Sequence, residues 1–297
     1  MLTSAAIIPV GKVYSNQSKL IVSKPDPSLW KTDEINIAWI GHATVLINFF
    51  GTVILTDPAL LGRVGMYFLG MTWGPVRHTY PALGINELPK PDLVLISHAH
   101  MDHMDFETLL ELTKRFPGGI SCITAAHTKD VIEELDWKSL TELDWEQTTN
   151  FRNIKIRAIE VVHNGWRYPG EMDRASGDKE GRSYNGYLIE CSNKKIFFAG
   201  DTAYTEKFRS LKKERVDIAI IPVGGYVPKY YYHCNPEEAM IMASEFIGAK
   251  YFVPIHSKTF ETDDEVDKPL IWLEKIKNNY NIETVIDDIG QTFTLRN

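Results

Sequence analysis

Three histidines and two aspartates fall within eight residues, at positions His98, His100, Asp102, His103 and Asp105. Imidazole nitrogens and carboxylate oxygens are ligands that zinc and other transition metals bind in proteins. Because alternate side chains of an extended chain point the same way, His98 and His100 can bind one ion together. Asp102 and His103 follow after the chain begins to turn, and they can reach a second ion. The spacing predicts a metal site; the alternative is a solvated polar turn with an incidental histidine pair.

The segments on either side indicate where this stretch lies. Residues 92–96 are apolar and rich in branched side chains, which predicts a short buried strand. Phe106, Leu109 and Leu110 then recur at helical spacing, and a Pro-Gly-Gly sequence at 117–119 stops the pattern. The histidine stretch is therefore predicted to be the turn between the C-terminal end of a strand and the start of a helix.

Further candidate ligands follow other predicted strands. His163, Asp201 and His256 each come at the C-terminal end of an apolar strand, which is where sheet-based folds build their sites. Taken singly, each is explained more simply by a structural role, but with the first stretch they predict a binuclear centre. The first set, for one ion, is His98, His100 and His163. The second set, for the other ion, is Asp102, His103 and His256. The carboxylate of Asp201 can bridge the two ions.

The bulk properties are those of a globular protein with a large core. The chain has 297 residues, 44% hydrophobic and 24% charged, which allows one large or two small domains. A net charge of −7 and a pI near 5.7 argue against a nucleic-acid partner. The three cysteines form neither a metal pair nor a disulfide framework, which favours a reducing compartment. Residues 1–10 lack the pattern of a signal peptide, so we expect a cytoplasmic protein whose membrane contact is at most peripheral.

Patterning divides the chain into an irregular N-terminal arm, residues 1–34, and one domain, residues 35–297. The two halves of the domain each combine short apolar strands with helices, which predicts an α/β fold, the αββα four-layer sandwich. The predicted strands are 35–40, 44–49, 52–56, 92–96, 120–124, 154–162, 184–191, 195–199, 216–221, 251–255, 282–286 and 291–295. The predicted helices are 105–116, 129–135, 236–247 and 266–278.

Several short strings resemble one known family. They are the motif of residues 98–103 and the strings at 39–44 (WIGHAT), 55–58 (LTDP), 198–202 (FAGDT), 221–226 (IPVGGY) and 235–239 (NPEEA). They resemble the metallo-β-lactamase superfamily, and within it the branch of N-acyl-phosphatidylethanolamine phospholipase D and its bacterial relatives. L-ascorbate-6-phosphate lactonase-like proteins share some of these strings. Residues 164–168 depart from the phospholipase pattern, which leaves the substrate open.

The resemblance implies a hydrolase with two zinc ions per chain, although the same ligands also suit Mn2+ or Fe2+. In the implied reaction, a hydroxide between the ions attacks a phosphodiester, and the branch suggests an N-acyl phospholipid or another small-molecule substrate. Asp102 and Asp201 are then catalytic carboxylates as well as ligands. The alternatives are a lactonase or other carbonyl-ester hydrolase on the same site, and a non-catalytic metal-binding domain.

Four more residues are candidates for supporting the ligands or contacting the substrate: Asp57, His42, His233 and Tyr226. Asp57 either holds a histidine ligand by its free ring N–H or serves only in a turn. His42 and His233 either line the pocket and contact the leaving group or are structural. Tyr226 either lines the cleft or presents its ring at the surface. Asp105 is best explained as a helix cap.

Residues 60–73 are unusually apolar for a loop. They contain leucines, aromatic residues, two methionines and a single charge. This segment is either packed as ordinary core, or it forms a wall or lid that accepts acyl chains. In the second case it can also touch a bilayer surface transiently.

Overall fold

The computed structural model describes residues 23–260 and 266–296. Most of the predicted arm, residues 1–34, lies outside the described residues, and its boundary with the domain stays a prediction. The described part of the arm contains one turn of 3₁₀-helix, Pro27–Leu29. Asp26 caps this turn by accepting a hydrogen bond from the backbone N–H of Ser28.

Strands and short helices alternate along the described chain. The strands are β1 (Ile35–Gly41), β2 (Thr44–Phe49), β3 (Thr52–Thr56), β4 (Met66–Phe68), β5 (Met71–Trp73), β6 (Leu93–Leu95), β7 (Ser121–Ala125), β8 (Ser139–Leu143), β9 (Thr148–Phe151), β10 (Ile154–Glu160), β11 (Asn185–Cys191), β12 (Lys194–Phe198), β13 (Ile218–Pro222), β14 (Tyr251–Ile255), β15 (Glu283–Thr284) and β16 (Thr292–Leu295). The α-helices are α1 (Phe106–Arg115), α2 (Tyr226–Lys229), α3 (Pro236–Ile241) and α4 (Lys268–Ile276). A π-helix, Met242–Ile247, extends α3. The remaining helices are 3₁₀-helices: Lys129–Val131, Arg174–Ser176, Glu206–Glu214 and Lys277–Asn279.

Two seven-stranded sheets carry the fold. Their strand orders are β16-β1-β2-β3-β6-β7-β8 and β15-β14-β13-β12-β11-β10-β9. Each sheet contains antiparallel neighbours, β1 to β3 or β9 to β12, which are joined by short turns except for the long connection between β10 and β11, residues 161–184. Parallel strands then continue each sheet through longer crossovers. Because the C-terminal ends of parallel strands meet at one edge of a sheet, residues that follow these strands come close together.

The two sheets pack face to face through a shared apolar core. This core combines side chains of the first sheet, such as Ile37, with side chains of the second, such as Ile218, and it includes Leu109 of α1. A second core lies beneath the helices that cover the other sheet, around Phe208 and Phe246. Strands β6 and β13 are buried along their whole length, which explains their uninterrupted apolar sequence. The predicted αββα sandwich is confirmed.

The structure differs from the predicted local structure in three places: one predicted helix is wrong, and elements in two other segments are not predicted. The helix predicted at 129–135 is a single 3₁₀ turn, Lys129–Val131, without a side-chain cap. Strands β8 and β9 occur where no strand is predicted, because their polar and half-exposed residues form no apolar run. Residues 206–214 form a 3₁₀-helix where no element is predicted; only Phe208 and Leu211 of this helix are buried.

The apolar segment 60–73 contains a hairpin instead of an irregular loop. Strands β4 and β5 pair antiparallel, and alternate side chains share one face. That outer face carries four apolar side chains, each more than half exposed: Met66, Phe68, Met71 and Trp73. Leu69 at the tip is 82% exposed. The core interpretation is therefore wrong for residues 66–73, although Leu60 and Val64 before the hairpin are buried.

Candidate metal centre

The seven candidate ligands come together because their strands end at the same edge of the sandwich. Residues 98–104, the metal turn, lie between β6 and α1. Asp105 caps α1 by accepting hydrogen bonds from the first turn of the helix, which confirms its expected role. His163 follows β10, Asp201 follows β12 and His256 follows β14. That these side chains are metal ligands stays a prediction, whereas their convergence is a feature of the structure.

The first set, His98, His100 and His163, presents three nitrogens to one point. Nδ1 of His100 lies 2.8 Å from Nε2 of His98 and 3.2 Å from Nε2 of His163. Nδ1 of His163 donates to the backbone carbonyl of Tyr232 at 2.9 Å, which leaves the lone pair on Nε2. Nδ1 of His98 contacts the hydroxyl of Ser97 at 2.8 Å and fixes that ring in the same way. The converging Nε2 atoms of His98 and His163 are therefore the ones available to an ion.

Burial keeps the three rings of the first set neutral. It lowers the pKa of His98 well below its ordinary value, that of His100 to about 4 and that of His163 to about 3. A charged ring in this site would lose its hydration. Neutral imidazole is the form that binds a metal, so the first set is suited to binding at neutral pH.

Asp201 lies between the first set and the second. Its Oδ2 is 3.0 Å from Nε2 of both His103 and His256, and 3.8 Å from Nε2 of His163. Oδ2 of Asp102 lies 3.8 Å from the same Nε2 atoms of His103 and His256. Asp201 therefore lies close to histidines of both sets.

The imidazole nitrogens of the second set lie at ion-pair distance from Asp201, but not in hydrogen-bond geometry. Nε2 of His103 and Nε2 of His256 lie near Asp201, yet neither has a hydrogen-bond partner among the described residues. Burial alone would raise the pKa of Asp201, but His103 and His256 outweigh it and hold the pKa well below its usual value. A divalent ion among these atoms would satisfy the nitrogens and the carboxylate together. The residues present thus fit a metal.

Asp57 supports both sets from behind and is fully buried. Its Oδ2 accepts hydrogen bonds from Nδ1 of His103 at 2.8 Å and from the hydroxyl of Ser97 at 2.6 Å. Its Oδ1 accepts from the backbone N–H of Ser97 at 2.7 Å. Because that hydroxyl also contacts His98, one carboxylate orients a candidate ligand in each set. Burial raises the pKa of Asp57, and the bonds from His103 and Ser97 oppose the rise.

His42 contacts the second set from the turn between β1 and β2. Its Nε2 lies 3.0 Å from Oδ2 of Asp102, and its ring packs against His256 with 4.1 Å between centroids. His42, Asp57 and His256 all have left-handed backbone, with φ of 53°, 34° and 61°. This conformation is uncommon outside glycine and concentrates at functional sites. Burial lowers the pKa of His42 to about 3.

His233 lies near Asp201, whereas Tyr226 has its ring contact elsewhere. Nδ1 of His233 is 3.7 Å from Oδ2 of Asp201 and has no hydrogen-bond partner among the described residues. Burial lowers the pKa of His233 to about 3. The ring of Tyr226 packs against Trp272 of α4, with 5.9 Å between centroids. His233 therefore reaches the candidate centre, while the Tyr226 ring contacts a neighbouring helix.

Two aromatic side chains border the first set. Trp166 meets His100 edge-on with 5.5 Å between centroids, and Tyr232 meets His163 at 6.0 Å. They are 40% and 37% exposed, so they stand between the candidate ligands and solvent. Sequence analysis does not single out Trp166, because one tryptophan in a polar loop carries no periodic signal.

Comparisons with known proteins place the chain among metal-dependent hydrolases. The family model described as Beta-lactamase superfamily domain matches residues 52–257, a range that includes all seven candidate ligands. The N-acyl-phosphatidylethanolamine-hydrolyzing phospholipase D 1 of Caenorhabditis elegans is 27% identical over 237 residues, which cover 75% of this chain and 63% of that protein. A metal-dependent hydrolase of Thermus thermophilus is 27% identical over 226 residues, which cover 76% of this chain and 85% of that protein.

The fold also has a counterpart among solved structures. The metallo-β-lactamase fold protein YhfI of Bacillus subtilis matches with a TM-score of 0.60 at 17% identity, covering 89% of this chain and all of that one. This likeness concerns the fold alone. The chain spans less than two thirds of the length of the C. elegans relative.

Proposed function

The chain belongs to the β-lactamase superfamily of metal-dependent hydrolases, and on that premise we propose that it hydrolyses phosphodiester bonds with two bound metal ions. The observation that supports this most is the position of Asp201, whose Oδ2 faces His103 of the second set and His163 of the first. A carboxylate that faces both sets would be shared by two bound ions, and paired metal ions catalyse displacement at phosphorus. All seven candidate ligands are present, which favours catalysis over a purely metal-binding domain.

The residues of this chain have distinct tasks in that reaction. Asp57 holds His103 in the tautomer that leaves Nε2 free, and His42 orients the carboxylate of Asp102. In this proposal, Trp166 shields the first set from water, and His233 contacts the leaving group. Metal ions held by these residues would activate water as the nucleophile near neutral pH and would offset charge that develops on the substrate oxygens.

We propose zinc as the bound metal. The candidate donors are five imidazoles and two carboxylates, with no thiolate among them. Zinc accepts this combination of nitrogen and oxygen ligands, as Mn2+ and Fe2+ also do. Elemental analysis of the protein purified without added metal distinguishes the three: two zinc ions per chain support the proposal, and manganese or iron at that ratio contradicts it.

We propose an amphiphilic substrate of the N-acyl phospholipid class, which the C. elegans relative is named for. The exposed hairpin β4–β5 supports this, because it is anchored to α1 directly after the metal turn. The Tyr67 ring packs against Phe106, with 5.4 Å between centroids, and the Thr72 hydroxyl donates to Glu107 at 2.5 Å. The outer face stays free for acyl chains and for transient contact with a bilayer. Within the described ranges, no helix has the length and apolar character needed to cross a membrane.

A comparison of three substrates tests the proposed reaction. Protein loaded with two equivalents of zinc is assayed on bis-p-nitrophenyl phosphate, on micellar N-acyl-phosphatidylethanolamine and on a simple lactone. We expect turnover of both phosphodiesters, little lactone turnover, and no activity in the control Asp201→Ala. Inactivity of the two-metal protein on every phosphodiester would contradict the proposal. Lactone turnover with the phosphodiesters untouched would favour the lactonase alternative.

The hairpin is tested by changing its exposed tip. The double variant Phe68→Ser and Leu69→Ser should lose activity on the micellar lipid while keeping its activity on the small phosphodiester. The matched control replaces Leu29 and Ile271, which are equally apolar and more than half exposed on other elements. An equal loss on both substrates, with a lower melting temperature, would show that the hairpin has only a structural role.

A further inference from the structure

The side chain of Arg167 points into the protein beneath the metal turn. The residue is 4% exposed and lies four positions after His163. Its Nη1 donates to the backbone carbonyl of Ala99 at 2.8 Å and to that of Met104 at 2.9 Å. A buried guanidinium requires such acceptors, because it has lost its hydration. One nitrogen atom thus joins the two ends of a turn that contains three candidate ligands.

The loop that carries Arg167 is held in place independently of the metal turn. A Cβ at Gly165 would lie 2.2 Å from the carbonyl oxygen of Arg182, so only glycine allows this close approach. The backbone N–H of Arg167 donates to Glu171 at 2.7 Å. Glu171 is bound in turn by Arg182, which also pairs with Asp130 at 2.6 Å. The surrounding network therefore sets the position of Arg167.

We propose that Arg167 is a positioning residue: it binds both ends of the metal turn and thereby fixes the first and second sets of candidate ligands relative to each other. His100 of the first set and His103 of the second both lie between the two carbonyls that it binds. Ala99 and Met104 are fully buried, so water does not replace the guanidinium there. The loss of Arg167 therefore disturbs both ions, unlike the loss of one ligand. The inference rests on the proposed binuclear centre but not on the proposed substrate.

Metal binding by three variants tests this role. The variants are Arg167→Met, which removes the donors; Arg167→Lys, which keeps the charge; and the control Arg174→Met on the same loop, where Arg174 pairs with Asp144 at 2.9 Å. For each, the stepwise affinity for two Co2+ ions is measured by chelator competition. The visible spectrum of bound Co2+ and the melting temperature of the metal-free protein are measured as well.

We expect Arg167→Met to weaken both ions by about 10- to 100-fold and to change the Co2+ spectrum. The Co2+ affinities of Arg167→Lys should lie between those of Arg167→Met and the wild type, because an ammonium group lacks the planar geometry of the guanidinium. The control should leave affinities and spectrum unchanged. A lower melting temperature with unchanged affinities, or a loss confined to one ion, overturns the inference.

Two further outcomes separate this inference from the proposed function. If Arg167→Met does not fold, Arg167→Lys tests the inference instead. Weaker binding of both ions by this variant supports the positioning role of Arg167, and unchanged binding overturns it. A wild type that does not bind two ions overturns both proposals. A wild type that binds two ions, responds to Arg167 substitution and cleaves no phosphodiester overturns only the substrate proposal.

Discussion

Replacing Asp57 by asparagine tests how the candidate ligands are held without removing any of them. The change keeps the shape of a fully buried side chain. In the native protein Oδ2 accepts from His103 and Ser97, and Oδ1 accepts from the backbone N–H of Ser97. The amide NH2 must take one of these two positions. It then faces either Nδ1–H of His103 or the N–H of Ser97, so two buried donors meet.

The expected cost follows from that conflict. A hydrogen bond to a charged group contributes about 1.5–3 kcal/mol, and a buried donor without an acceptor costs about 1–3 kcal/mol. Since the two effects overlap, we expect Asp57→Asn to lower the free energy of unfolding by about 3 kcal/mol. If His103 shifts its proton to Nε2, that proton also competes with an ion. Because about 1.4 kcal/mol corresponds to tenfold, metal affinity should fall roughly 10- to 100-fold.

Urea unfolding of chelator-treated protein measures the free energy of unfolding, and competition with a chelator for zinc measures the metal affinity. The matched control is Asp105→Asn, a second buried aspartate that caps α1. Burial raises the pKa of Asp105 to about 7. Because asparagine caps a helix about as well as aspartate, the control should keep most of its stability and its zinc affinity. If Asp57→Asn leaves the zinc affinity unchanged, as this control does, Asp57 has only a structural role and the reasoning is refuted.

Two other experiments test the assignment of ligands to the two sets and the protonation of His256. Asp201→Ala should weaken both ions, whereas His163→Ala should weaken chiefly the first; two ions retained at full rate in both variants would show that the assignment is wrong. In chelator-treated protein, burial alone would lower the pKa of His256, but Asp201 raises it to about 9. Because this pKa is raised on folding, a stabilisation of about 3 kcal/mol is fully present below pH 6.5 and is lost as the pH rises to about 9. Urea unfolding across that window measures the fall, and level stability would contradict it.

The fold is predicted best where burial is complete or a cap is explicit. Strands β6 and β13 are apolar throughout, because both faces of each are covered. Helix α3 begins as predicted after Asn235, which forms a reciprocal capping box with Glu238. The candidate ligands could be predicted as a group for the same reason: they follow buried strands whose ends are easy to recognise.

The sequence is less informative where tertiary contacts decide. Strands β8 and β9 are recognisable only through their sheet partners, and the exposed apolar hairpin has the composition of core. Arg167 looks like an ordinary arginine of a polar loop until its contacts with Ala99 and Met104 are seen. The hydrogen bonds that link Asp57 through the Ser97 hydroxyl to His98 likewise depend on the fold, and residue spacing in the sequence does not predict them.

The central claim is that two sets of side chains hold two ions with Asp201 between them. Anomalous diffraction from crystals of the zinc-loaded protein, recorded at the zinc absorption edge, tests it most directly. The account predicts two peaks per chain about 3.5–4 Å apart, one beside His98, His100 and His163 and one beside Asp102, His103 and His256, with Asp201 contacting both. A single peak, or a peak held by His233 in place of either set, would contradict it.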